Sequence, residues 1–497
     1  MGIETELKLS ISPGQMNRLR RHRLLKTLSV SRAVTRSLYS IYYDTPALDL
    51  QRHAMALRLR RSGRQWLQTL KGGGGVQAGL HRRSEWEMPV AGEALDFDAL
   101  KDAGGRLPKG VHKKLRPVFV TDFSRNVRLV RFEGAEIELC LDSGEIRSGK
   151  NTRAISELEL ELKSGEPQQL FRLALLLLDA VPLAVEQTSK AEYGYRLFSG
   201  DRPTVRKAGF PMLESSQDIA CALQEMIASC LSHVQSNVPG AIEGLDEEYL
   251  HQVRVGLRRL RVVLAMAEAF RADGELEALH EEVAEMCAEF GRLREWDVFV
   301  TQTLAPVCAR LPQHEGLREL LSASEERRVR CRAALVHRLQ SSDYQRLLLR
   351  FGAWMYGAYR AAPSAGGSLR DFAAGILQKR CRQVARRGKH LATADAGQLH
   401  LLRIACKKLR YSVEMFGSLF ASGKARRYVA ALSELQDIMG MLNDIAVARR
   451  LLDAMDSRER HETLALVGGW LEHDRAGLMA RLDGAWKRFS GQKKFWD

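Results

Sequence analysis

The chain has 497 residues, 45% of them hydrophobic, which is ample for two or more packed domains. Its 76 Lys and Arg against 60 Asp and Glu leave a net charge of +16, a balance that calls for an anionic partner: nucleic acid, an acidic membrane surface or a polyphosphate chain. The greasiest run, Leu170 to Val185, is broken by Arg172 and Asp179 and is too short to span a bilayer. The eight scattered cysteines form no close pair of the zinc or redox type.

In chain order, Glu4-Thr5-Glu6-Leu7-Lys8 comes first, and as a strand it carries three charges on one face. A helical stretch follows at Gln15 to Leu28. Short alternating segments then recur at Ile41 to Tyr43, Ala56 to Arg60, Trp66 to Lys71, Glu85 to Pro89, Glu136 to Leu141 and Ser156 to Leu162, with turn residues between them. Within them Leu57-Arg58-Leu59-Arg60 places two guanidiniums on one face, and Glu157, Glu159 and Glu161 share a face opposite Leu158, Leu160 and Leu162. Gly72 to Gly75, after Lys71, lacks the Lys-Ser/Thr ending of a phosphate-binding loop and reads as a flexible hairpin loop. Pro167 to Ala180 is predicted helical and Ser199 to Pro211 is predicted to be a linker.

Alternation alone does not say which face is buried. Surface strands, however, mix signs to avoid like charges side by side, whereas here one strand is purely acidic and another purely basic on the face in question. Three carboxylates on one strand repel one another unless cations offset them. Strands of this kind can close into a barrel with a charged inside and an apolar outside, suited to an anionic ligand held with a cation.

Beyond the linker the periodicity is helical with few prolines, and the texture repeats. His251, Arg254, Arg258, Arg259 and Arg261 recur as His400, Arg403, Lys407, Lys408 and Arg410, a shift of 400 − 251 = 149 residues. Gly291-Arg-Leu-Arg-Glu295 recurs as Gly440-Met-Leu-Asn-Asp444 at the same shift, 440 − 291 = 149. Two matches at one period predict duplicated helical bundles. In each copy an apolar stripe (Val253, Leu257, Leu260, Leu264; Leu402, Cys406, Leu409, Val413) opposes a basic one. Neither 251–264 nor 400–413 contains an Asp or Glu, although a solvated face normally alternates sign. The basic stripes therefore point to a polyanion. No aromatic stacking platform or DNA-binding motif accompanies them, which sets nucleic acid below polyphosphate as the partner.

With these residues in hand, the first part of the chain resembles the CYTH domain of the triphosphate tunnel metalloenzyme superfamily, and the duplicated His-x-x-Arg element resembles the CHAD domain. Together they resemble the bacterial two-domain inorganic triphosphatases. The resemblance implies an α+β chain: an eight-stranded antiparallel tunnel barrel over 1–200, a linker over 201–212, and an all-α duplicated bundle over 213–497. It implies Glu4, Glu6, Glu85, Asp142, Glu159 and Glu161 as ligands of Mg2+ or Mn2+. It likewise implies Lys8, Arg58, Arg60, Lys71, Arg125 and Lys190 as phosphate ligands; by their place near candidate strands, Arg128 and Arg147 could replace or assist Arg125. Lys8, Arg60, Glu159 and Glu161 would be catalytic, and Glu159 or Glu161 would orient the attacking water; Glu157 is expected nearer the rim. The implied reaction is hydrolysis of inorganic triphosphate to diphosphate and phosphate. Thiamine triphosphate hydrolysis, adenylate cyclisation and a non-catalytic polyphosphate scaffold are the alternatives. His81 and His112 have no zinc-type spacing and receive no role. Met1-Gly2-Ile3-Glu4 has neither the basic start nor the apolar core of a signal peptide, so a cytoplasmic location, away from membranes, is expected.

Overall fold

The alternating segments of the first half form eight long strands: β1 (Gly2–Ser10), β2 (Val34–Asp44), β3 (Met55–Ser62), β4 (Gln65–Gln77), β5 (Leu80–Val90), β6 (Arg116–Phe132), β7 (Ala135–Ser148) and β8 (Asn151–Ser164), followed by a short β9 (Ala184–Val185). They pair antiparallel in the order β5-β4-β3-β2-β6-β7-β8-β1, and β1 pairs back to β5, so the sheet closes into an eight-stranded barrel. This computed structural model describes residues 2–209, 211–271, 273–357, 367–420, 422–455 and 461–496.

Closure follows from the alternation. On the outer face Leu7, Leu9, Leu139, Leu141, Leu158 and Leu160 are at most 1% exposed. Those of β1 and β8 lie beneath the helix Pro167–Ala180, which buries Leu170, Leu173, Ala174 and Leu177. A fully buried leucine is worth about 1.5–3 kcal/mol, so this layer commits the polar partners of each alternation to the inside.

Three local expectations change. The stretch Gln15 to Leu28 is two helices, Pro13–Arg21 and Arg23–Leu28, parted where His22 adopts extended backbone (φ −65°, ψ 136°). The four glycines are not a hairpin loop but lie inside β4, where the register with β5 shifts between Gly72 and Gly75. Gly74 has φ 76°, and a Cβ there would sit 1.8 Å from the Arg82 carbonyl oxygen, a contact only glycine avoids. The turn itself falls on Ala78-Gly79. Strand β6 is not legible in the sequence, because its inward set, Thr121, Phe123 and Arg125, mixes hydroxyl, ring and charge and shows no simple alternation.

The chain divides into two compact units. One comprises Met1–Arg206, Gln235–Leu245 and Gln340–Ala362; the other comprises Lys207–Val234, Asp246–Leu339 and Pro363–Asp497. The first therefore takes in a helix from the second half of the sequence, Ser342–Met355, which packs on Pro167–Ala180. Gly352 permits that approach, since a Cβ there would lie 2.1 Å from the Phe171 ring. Tyr356 stacks on the same ring, with centroids 5.6 Å apart.

The second unit is helical and shows the repeat in its caps. Asp246 starts the helix Glu247–Phe270 and Asp395 starts Ala396–Phe416, each accepting a backbone N–H, at a shift of 395 − 246 = 149. Both apolar stripes read from the sequence are buried. Among the described residues no helix is long and apolar enough to cross a membrane.

Candidate active site

Register decides which side chains meet inside the barrel. Across β1 and β8, Glu6 faces Glu161, Lys8 faces Glu159 and Ser10 faces Glu157. Asp142 faces Glu157 on β8 and Arg125 on β6, while Arg58 and Arg60 face Tyr42 and Ser40 on β2. Lys190 begins the helix Lys190–Ser199, whose N-cap Ser189 accepts from Glu192 N–H.

These charges interlock. Arg125 clamps Asp142 with both arms of its fork, Nε to Oδ1 at 2.8 Å and Nη2 to Oδ2 at 2.6 Å, and also donates to Glu159. Lys190 Nζ donates to Glu159 at 2.8 Å and to Glu157, and lies 2.8 Å from Asp142. Lys8 donates to Glu159 and lies 2.9 Å from Glu6. Nearer the open end Lys71 donates to Glu4 and lies 3.4 Å from Glu85, which is 3.7 Å from Arg58. The Phe123 ring has Lys190, Arg125 and Arg60 within 5.4, 5.6 and 6.0 Å of its centroid.

The electrostatics follow. Burial alone would push Glu159 up, but Lys190, Lys8 and Arg125 hold it well below the usual carboxylate range. Burial would likewise lower Lys190 and Arg125, yet the acids around them raise both well above ordinary values. Arg60 is the exception. Burial, then Arg58 and Arg125, push it down to about 10. Among the described residues it pairs with no carboxylate, and its Nε donates to Ser40 Oγ at 3.1 Å. Among the described residues the buried Arg58 Nε and Thr121 Oγ1 have no hydrogen-bond partner. This end of the interior presents donors to an acceptor-rich ligand.

The carboxylates fall into two groups. Asp142, Glu157 and Glu159 place oxygens within 4.8 Å of one another. Glu4, Glu85 and Glu161 line a cavity of about 330 Å³ at the tunnel opening, where burial raises the Glu161 carboxyl. Hard oxygen donors of this kind fit Mg2+ or Mn2+. Glu157, expected at the rim, is instead only 6% exposed and belongs to the inner trio. Arg128 and Arg147 are not inside: Arg128 donates to the Arg20 carbonyl and Arg147 pairs with Asp122. His81, given no role from the sequence, faces Glu6 across β1 and β5; burial, then Lys8, push it down to about 3. Ser40, Tyr42, Phe123 and His81 carry no signal until strand pairing is known.

In the helical unit Arg254, Arg294, His400, Arg403, Asn443 and Asp444 line a cavity of about 620 Å³. His251 and Arg254 line a neighbouring cavity of about 320 Å³. Burial, then Arg258 and Arg294, push Arg254 down to about 10; burial, then Arg258, Arg403 and Arg254, push Lys407 down to about 5. Arg259 and Arg410 stand apart, because both turn to Glu414, one residue beyond the acid-free stretch 400–413. Lys408 is lowered by burial, then by Arg380 and Arg261, in a second basic group. Arg294 and Asp444 lie within the repeated Gly291 and Gly440 elements, which the sequence reading used only as markers of duplication.

Comparison with known proteins matches residues 2–195 to the CYTH domain and residues 225–453 to the CHAD domain. The crystal structure of the CHAD domain from the plant Ricinus communis is 31% identical and covers 58% of this chain and 98% of its own, with a TM-score of 0.52. The chain belongs to the CYTH and CHAD families. An inorganic triphosphatase of Haemophilus influenzae is 35% identical over 196 residues, 39% of this chain. This chain spans 55% of that relative's length. An uncharacterized protein of Mycobacterium tuberculosis is 25% identical over 438 residues, covering 82% of this chain and 81% of its own.

Proposed function

We propose that the CYTH barrel hydrolyses inorganic triphosphate to diphosphate and phosphate with a divalent cation, and that the CHAD domain holds polyphosphate. One observation carries the reading: Arg60, part-buried beside Arg58 and Arg125, has the Ser40 hydroxyl but, among the described residues, no carboxylate as partner. A phosphate oxygen supplies the missing acceptor. Arg58 and Arg60 then grip the chain of phosphates, Arg by its fork and Lys8 and Lys71 as point charges. Phosphoryl transfer asks for little covalent chemistry beyond alignment and charge neutralisation, which these side chains provide. Glu4, Glu85 and Glu161, with Glu6 beside them, or the trio Asp142, Glu157 and Glu159, would hold Mg2+ or Mn2+, which when bound supplies Lewis-acid neutralisation of phosphate oxygens. Glu159 or Glu161 orients the attacking water. The 35% identity over 196 residues to an inorganic triphosphatase supports the substrate.

The test is a panel of triphosphate, long-chain polyphosphate, ATP and thiamine triphosphate with Mg2+ and Mn2+, each with and without EDTA. Triphosphate should be preferred, and turnover should vanish on chelation. Full activity after exhaustive chelation, or a preference for ATP, would overturn the reading.

Polyphosphate binding has a separate signature at Lys407. Held at about 5, this lysine is uncharged at neutral pH. The unfolded chain carries that proton up to the ordinary lysine value of about 10.4, so ligand-free stability should rise with pH above 5 as this penalty fades. A polyanion restores the proton. Titration of the full chain with polyphosphate at pH 7, in two buffers of different ionisation enthalpy, should show proton uptake that Lys407→Arg lowers by about one proton per site. Uptake unchanged in that variant would remove Lys407 from the site.

A further inference from the structure

The segment 184–190 carries Lys190 to the inner trio and is tied on several sides. Glu186 N–H donates to the Lys8 carbonyl at 2.9 Å, and the Glu186 carbonyl meets His81 Nε2 at 3.2 Å. The Glu186 carboxylate accepts from Thr188 N–H at 2.8 Å and from the Tyr193 hydroxyl at 3.0 Å. Ser189 then caps the helix that Lys190 begins. Glu186, Thr188, Ser189 and Lys190 are thus each held by a hydrogen bond.

The remaining tie comes from the other side. Strand β9 pairs with β1 along one edge, and its Val185 N–H turns away from that ladder toward Gln345, whose Oε1 accepts it at 2.9 Å. A strand edge with an unpaired N–H is costly when buried, and here a side chain replaces the missing strand. Gln345 is 8% exposed and sits on Ser342–Met355, the helix fixed to Pro167–Ala180 by Gly352 against Phe171. Its reach is set by a packed helix rather than by a loop.

We propose that Gln345, far from the barrel in sequence, is a positioning residue for the CYTH reaction: by pairing the free edge of β9 it holds segment 184–190, and with it Lys190, at Asp142, Glu157 and Glu159. The kinetic consequence rests on the triphosphatase reading, whereas the structural one does not. Gln345→Met keeps the volume and removes the acceptor, and Gln345→Glu keeps an acceptor.

Two measurements on the full chain test this. Hydrogen exchange without substrate should show the amides of 185–188 exchanging about tenfold faster in Gln345→Met, with β3 unchanged and Gln345→Glu near wild type. Triphosphate kcat/KM should fall about tenfold in Gln345→Met but by less than about twofold further when the change is made in Lys190→Ala, because the two act through one contact. Unchanged exchange in 185–188 overturns the proposal, as does an equal kinetic loss in both backgrounds. If the wild-type chain turns over no triphosphate, the reaction reading fails and exchange alone decides the role of Gln345. Should Gln345→Met not fold, Gln345→Asn shortens the reach of the amide and is expected to give the same results.

Discussion

Glu159→Gln should abolish turnover and loosen the barrel together. The Glu159 carboxylate meets Lys8, Arg125 and Lys190, and it is buried. Removing its charge takes away the one carboxylate that Lys8, Arg125 and Lys190 all share. Loss of one partner from a buried charge network costs about 3–5 kcal/mol, and loss of a group that orders both phosphate ligands and water should lower kcat/KM by at least about 10³-fold. The pH dependence gives an independent check. Glu159 is held well below its unfolded value, so its contribution is present above the ordinary glutamate pKa of about 4.3 and is lost as pH falls toward the folded value. Urea titrations below pH 4 should therefore show a steep loss of stability in the wild type and a shallower one in Glu159→Gln. Parallel acid limbs would mean that Glu159 is not the centre of the network.

Arg60→Ala should behave in the opposite way: catalysis collapses and stability does not. This guanidinium is pushed down to about 10 by burial and by Arg58 and Arg125, so the folded protein holds it against repulsion. Deleting it relieves that repulsion at the loss of one hydrogen bond to Ser40. The urea midpoint should stay level or rise, while kcat/KM for triphosphate falls by at least about 10²-fold, the usual scale for removing a charge that meets a transferring phosphoryl group. A fall in stability comparable to that of Glu159→Gln would make Arg60 a structural residue, and an unchanged kcat/KM would place it away from the substrate.

The contrast between these two residues also marks how far sequence reaches. Glu4, Glu6, Lys8, Arg58, Arg60 and the glutamates of β8 were legible because each lies on a strand whose partner positions are leucines, so hydrophobic alternation marks the face. Their pairing was not, because register is a property of two strands. Nothing in Leu38-Tyr39-Ser40 says that Ser40 will lie beside Arg60, or that Tyr42 will lie beside Arg58. Glu157 was set at the rim for the same reason, since its depth is fixed by where Lys190 arrives. In the CHAD domain the basic stripes were legible from missing acids, yet Glu414, just past the stretch, takes Arg259 and Arg410 out of the group. The helix Ser342–Met355 reads from sequence as one more amphipathic member of the helical half; that it caps the barrel depends on a glycine meeting Phe171, which no periodicity reveals.

That helix also sets a schedule for synthesis. The barrel strands and the helix Pro167–Ala180 leave the ribosome well before residue 355, and at about 5–20 residues per second the interval from residue 200 is roughly 8–30 s. Throughout that time Phe171 lacks the Gly352 and Tyr356 that cover it in the finished molecule. The nascent barrel must therefore wait, with one apolar face open, for a piece of chain that belongs by sequence to the next domain, and a chaperone that recognises exposed apolar surface has its target there.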